Sequence, residues 1–181
     1  HMDWHRASGL FIVFLLFFRL QWGLFGGETA RFGRFVKGPG GVFSYLKGEA
    51  PATPGHNPLG GWSVVAMLAA LLLQATAGLF AVDIDGIESG PLSHFVSFDQ
   101  GRLAADIHGA VFNALLALVG LHLAAILFYA VMRRKNLVGP MITGADKGAS
   151  RSADFVGTWR IAAAALAAGG ATYVIANGFT F

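Results

Sequence analysis

Four long apolar runs dominate the chain, separated by polar, glycine-rich connections. Leu10 to Leu20 is broken by a single charge, Arg19, and Trp62 to Val82 carries none. Gly109 to Met132 is uncharged apart from His122, and Ile161 to Ala176 is alanine-rich and uncharged. With its flanks, each run approaches the ~20 residues that a helix needs to cross a hydrocarbon core of about 30 Å. The pattern predicts an all-α integral membrane bundle of four transmembrane helices in one membrane domain, residues 1–181. The spans are A (about 7–25), B (62–82), C (about 103–132) and D (about 156–176), with 133–155 as the C–D linker. Span A follows directly on the charged, histidine-containing stretch MDWHRASG and does not read as a cleavable signal peptide.

Composition agrees and removes several chemistries. Charged residues are 13% of the chain, against about a quarter in soluble globular domains. Cysteine is absent, which excludes disulfides, thiolate metal sites, iron–sulfur clusters and the covalent attachment of c-type haem. The charges that exist are sorted by connection. A–B holds Arg31, Arg34, Lys37 and Lys47 against Glu28 and Glu49, whereas B–C and the start of span C hold Asp83, Asp85, Glu88, Asp99 and Asp106 against Arg102. C–D is basic again, with Arg133, Arg134, Lys135, Lys147, Arg151 and Arg160. Lysine and arginine collect on the cytoplasmic side, so A–B and the 133–155 linker are expected inside and both termini outside, periplasmic in a Gram-negative cell. Membrane lipid is thus a constant partner, and nothing calls for nucleic acid. Within A–B, Val42 to Leu46 suits a short amphipathic helix on the membrane surface, with Lys37 and Lys47 toward lipid phosphates. The prolines of PATPGHNP suppress helix until Leu59, and GPLSHFVSF is a second candidate interfacial piece.

The candidate chemistry lies in three histidines and an arginine. His122 follows His108 by fourteen residues, which is four helical turns less about 40°, so both lie on one face about 21 Å apart along the axis. Ionisable groups inside a span usually face the bundle interior and mark a function. One reading makes both histidines interhelical hydrogen-bond partners. The other makes them axial ligands of two stacked haems, each iron taking a neutral imidazole from either side. His5 opens span A at the depth of His108, so the topology points to bis-histidine ligation of one haem b by this pair. Ala7, Ser8, Gly9, Gly109 and Gly120 would leave room for a flat macrocycle, or would serve close helix packing. Arg19 stands fourteen residues beyond His5, at the depth of His122. It either pairs with a haem propionate or snorkels to lipid phosphates. For His122 no second histidine lies in B or D; His56, at the inner mouth of B, is one candidate partner, and Met67 and Met141 are weaker ones.

At these motifs the chain resembles the bacterial cytochrome b561 family, in particular the branch holding the b-type subunits of nickel–iron hydrogenases. The matching segments are DWHRASG with FFRLQWGLFG, ARFGRFVKGPGGVFSYLKG, GHNPLGGW, and DIHGAVFNALLALVGLHLAAILFY followed by NLVGPMITG, which together cover most of residues 3 to 144. The resemblance implies a helical domain of the bacterial inner membrane that holds two b haems. It also implies electron exchange with quinone, a c-type cytochrome or another redox subunit. It places His5, His108 and His122 at three of the family's four axial positions. The fourth lies, in the family, on a helix ahead of span A in a segment resembling LHW, which this sequence does not contain. One haem b is therefore expected from this chain, and two if an upstream helix supplies the fourth histidine.

Two other classes compete with transmembrane electron transfer. A proton or solute transporter would use the intramembrane His and Arg as relays, but the spans lack carboxylates and paired broken helices. A non-redox scaffold subunit would use the alanine-rich face of span D, AAAALAAGGA, for close packing. No nucleophile or acid–base constellation is visible. A reduced-minus-oxidised spectrum separates the three classes.

Overall fold

The computed structural model describes residues 2–27, 30–48, 58–134, 136–139 and 157–180. Their helices, in chain order, are α1 (Met2–Phe25), α2 (Phe32–Phe35), α3 (Pro39–Leu46), α4 (Pro58–Phe80), α5 (Phe98–Val131) and α6 (Thr158–Ala176). A 3₁₀ turn, Ser93–Phe95, lies between α4 and α5, and no strand forms among the described residues. Four helices, α1, α4, α5 and α6, are long and apolar enough to cross a membrane.

The helix ends differ from the apolar runs for local reasons. α1 begins at Met2 and so includes the polar turn ahead of the run, and α4 begins at Pro58, where a proline at the first helical position sacrifices no hydrogen bond. α5 begins at Phe98, five residues before the expected span. Ser97 Oγ accepts from the Gln100 N–H at 3.3 Å while Gln100 Oε1 accepts from the Ser97 N–H at 2.9 Å. This reciprocal box supplies partners for orphan donors at the start of the helix.

The helices group into two compact units. One comprises His1–Gln21, Leu68–Leu116 and Gly157–Phe181. Here the loop after α4 folds back on that helix's C-terminus, whose last carbonyls have no intrahelical donors. Leu92 N–H donates to Leu79 O at 2.9 Å, Gly90 N–H to Ala81 O at 2.8 Å, and Arg102 Nη1 to Val82 O at 2.9 Å. The approach at Gly90 is so close that a Cβ there would overlap the carbonyls of Gly78 and Leu79. Arg6 at the start of α1 reaches the same loop, 3.3 Å from Glu88 Oε2 and 3.2 Å from Ser89 O. α6 ends in a Schellman motif: Gly178 takes φ +61°, its N–H donates to Ile175 O at 2.9 Å and the Phe179 N–H to Val174 O at 3.1 Å. Phe179 then meets Phe95 of the loop edge-on.

The other unit comprises Trp22–Met67 and Ala117–Val156. Arg31 Nε donates to Gly26 O at 2.8 Å and turns the chain after α1. Phe35 of α2 is buried, and its carbonyl lies 2.7 Å from where a Cβ on Gly61 would stand, so α4 can approach only as glycine. Trp62 Nε1 donates to Lys37 O at 2.9 Å, and the hydroxyls of Tyr45 and Tyr129 are 2.6 Å apart. The short helix expected at Val42–Leu46 is α3, which starts three residues earlier, at Pro39.

Large apolar side chains stay exposed along the spans, Leu121, Leu127 and Leu166 among them, while no polar or charged residue is buried among the described residues. A soluble core reverses this arrangement. Helices whose backbone groups are paired internally and whose outer faces are apolar suit a lipid solvent.

Candidate haem site

In the first unit, α1 and α5 bring His5 and His108 together, with ring centroids 5.8 Å apart and planes at 81°. An imidazole nitrogen binds a transition metal at about 2 Å, so two rings on either side of one metal ion have centroids roughly 6 Å apart. The observed centroid spacing is of that size, while both ring nitrogens of His108 meet Gln74 of α4.

The protonation state of His108 follows from its neighbours on α4. Nδ1 lies 2.9 Å from the carbonyl oxygen of Gln74 and Nε2 lies 3.0 Å from that residue's side-chain nitrogen. A carbonyl can only accept, so Nδ1 carries the proton. An amide nitrogen can only donate, so Nε2 carries the lone pair. Metal-binding histidines use this tautomer, with the distal N–H held by a backbone carbonyl or carboxylate. The Gln74 amide now stands at the lone pair that an iron would use, and the two are alternatives there. The amide's Oε1 is buried without a partner among the described residues. The donor set therefore fits a b-type haem.

Gly78, one turn beyond Gln74 on α4, makes room for the ring, since a Cβ there would fall 2.9 Å from His108 Cε1 and 3.0 Å from Nδ1. The glycines singled out from the sequence behave differently. Among the described residues, a Cβ at Gly9, Gly109 or Gly120 meets nothing within 4 Å, so none of them makes a tight helix contact there.

In the second unit, His122 Nδ1 lies 3.1 Å from Ser63 Oγ of α4. Met67 is half-buried one turn further along α4, while His56 and Met141 lie outside the described residues. Arg19 is half-buried on α1. No cluster of three or more His, Asp or Glu that could hold a bare metal ion forms among the described residues. Sequence reasoning passed over Gln74, Ser63 and Gly78. The usable signal was polarity: Ser63, Gln74 and Thr76 are the hydrogen-bonding side chains other than Trp62 in an otherwise apolar helix.

The family model described as prokaryotic cytochrome b561 matches residues 1–144, which takes in α1 to α5. No curated protein and no solved structure matches the chain.

Proposed function

The chain belongs to the prokaryotic cytochrome b561 family, and from that premise we propose that His5 and His108 are the axial ligands of one haem b in a protein that passes electrons between a quinone pool and a redox partner. Family membership and the four spanning helices make it a multi-pass membrane b-type cytochrome of electron transfer. The finer reading rests on the facing imidazoles, 5.8 Å apart, one of which already has its lone pair at Nε2.

Bound haem supplies one-electron chemistry, and the polypeptide sets its position and potential. His108 donates Nδ1–H to the Gln74 carbonyl, which fixes the ring plane and makes the imidazole a stronger donor through Nε2. His5 presents the opposing ring from α1. His122, fourteen residues along α5, would hold a second haem b where a further histidine supplies the opposite ligand. The Arg19 guanidinium would pair with a propionate of that second haem. The lysine and arginine distribution supports an orientation with the A–B and C–D connections in the cytoplasm and both termini in the periplasm of a bacterial inner membrane. A c-type cytochrome or another redox subunit is the partner at one face.

Replacing His5 with Ala tests the assignment. The variant should lose one low-spin b-type α band in the reduced-minus-oxidised spectrum and one haem equivalent by pyridine haemochrome assay. Unchanged spectrum and haem content would reject it.

A further inference from the structure

We propose that α4, whose described residues include no histidine, is the orienting helix for both histidines of α5. The Gln74 carbonyl accepts Nδ1–H of His108 and the Ser63 hydroxyl accepts Nδ1–H of His122, so that Nε2 is the iron-facing atom in each ring. The proposal rests on the haem-ligand reading and extends it by naming the groups that hold the ligands.

Three observations converge. First, Ser63 and Gln74 are eleven residues apart on one continuous helix, which is within about 20° of three full turns, so α4 carries them on one stripe. The two histidines likewise share a stripe of α5. Second, each imidazole meets its own polar residue through Nδ1, His108 at 2.9 Å and His122 at 3.1 Å. The same ring atom is taken both times, although the partner is a carbonyl in one case and a hydroxyl in the other. Third, the His108 tautomer is fixed by two independent contacts. For His122 the hydroxyl can donate or accept, and ligation through Nε2 requires that it accept.

The two partners differ in what a substitution can reach. The Gln74 amide competes with iron for the Nε2 lone pair, and its Oε1 has no partner among the described residues. The backbone carbonyl is therefore the lasting contact to His108, and the Gln74 side chain is dispensable for it. Ser63 acts through its side chain alone. An acceptor on Nδ1–H strengthens the imidazole as a donor and favours ferric iron, so its loss raises the potential of the haem concerned. Both residues are positioning residues.

The test uses the full chain in detergent micelles, labelled with ¹⁵N-histidine and reduced, so that low-spin iron is diamagnetic. Nδ1 of both His108 and His122 should be protonated. Ser63→Ala should shift the His122 Nδ1 resonance and speed exchange of its proton with solvent, without moving the His108 signal. Ser63→Thr should restore it. Gln74→Leu should leave the His108 Nδ1 proton protected. An unprotonated His122 Nδ1 in the unaltered protein, or a Ser63→Ala spectrum identical to it, overturns the proposal. So does loss of the His108 Nδ1 signal in Gln74→Leu. Haem content of His108→Ala and His122→Ala, measured alongside, judges ligation separately: full haem in those variants rejects the ligand reading, whereas the Nδ1 signals judge the orienting role.

Discussion

Gly78→Ala is the smallest perturbation that reaches His108 without touching a ligand. The added methyl would stand 2.9 Å from Cε1 and 3.0 Å from Nδ1 of the ring, where carbon contacts favour about 3.5 Å or more. The ring must retreat by roughly 0.5 Å or more, or α4 and α5 must part locally. The bond from Nδ1 to Gln74 O starts at 2.9 Å, so such a retreat takes it to the limit of a hydrogen bond. A lost bond of this kind costs about 1 kcal/mol and forced repacking about 1–3 kcal/mol. The better helix propensity of alanine returns up to about 1 kcal/mol. Net destabilisation of about 1–3 kcal/mol is expected, together with a higher midpoint potential for the haem that His108 is proposed to hold. The assay is a potentiometric titration followed at the α band, with thermal haem release on the same samples. Gly169→Ala is the control, because a Cβ there meets nothing within 4 Å and the site is on α6. If Gly78→Ala matches that control in potential and in haem retention, the ring is not held as described.

Two further substitutions test other parts of the reasoning. If Arg19 pairs with a propionate of the second haem, Arg19→Glu should lower that haem's potential or expel it, by redox titration and haem assay; unchanged potentials would place Arg19 at lipid phosphates instead. Gly61→Ala sets a methyl 2.7 Å from the Phe35 carbonyl, a rigid partner. It should destabilise by about 1–3 kcal/mol, seen as earlier unfolding by tryptophan fluorescence as Trp62 loses Lys37 O; a melting curve like the parent's would argue against that packing.

The spans were readable directly, because four long apolar runs with at most one charge each have few alternatives to spanning helices. Helix ends were less readable. A hydropathy reading discards Phe98 to Arg102 as polar, yet Ser97 and Gln100 close a capping box that starts α5 there. The histidines stood out because an imidazole in an apolar run is conspicuous, and depth alone suggested pairing His5 with His108, whose rings the fold places 5.8 Å apart. Their supports did not stand out, since a serine and a glutamine weigh little in an apolar average and their eleven-residue spacing means nothing until α4 faces α5. Glycine shows the same limit most sharply. Gly9, Gly109 and Gly120 drew notice by lying near ligands in sequence, and a Cβ on any of them would meet nothing within 4 Å. Gly78 sits on another helix thirty residues before His108 and is the glycine that its ring presses against. What a glycine makes room for is set by the element across from it, and that pairing is tertiary.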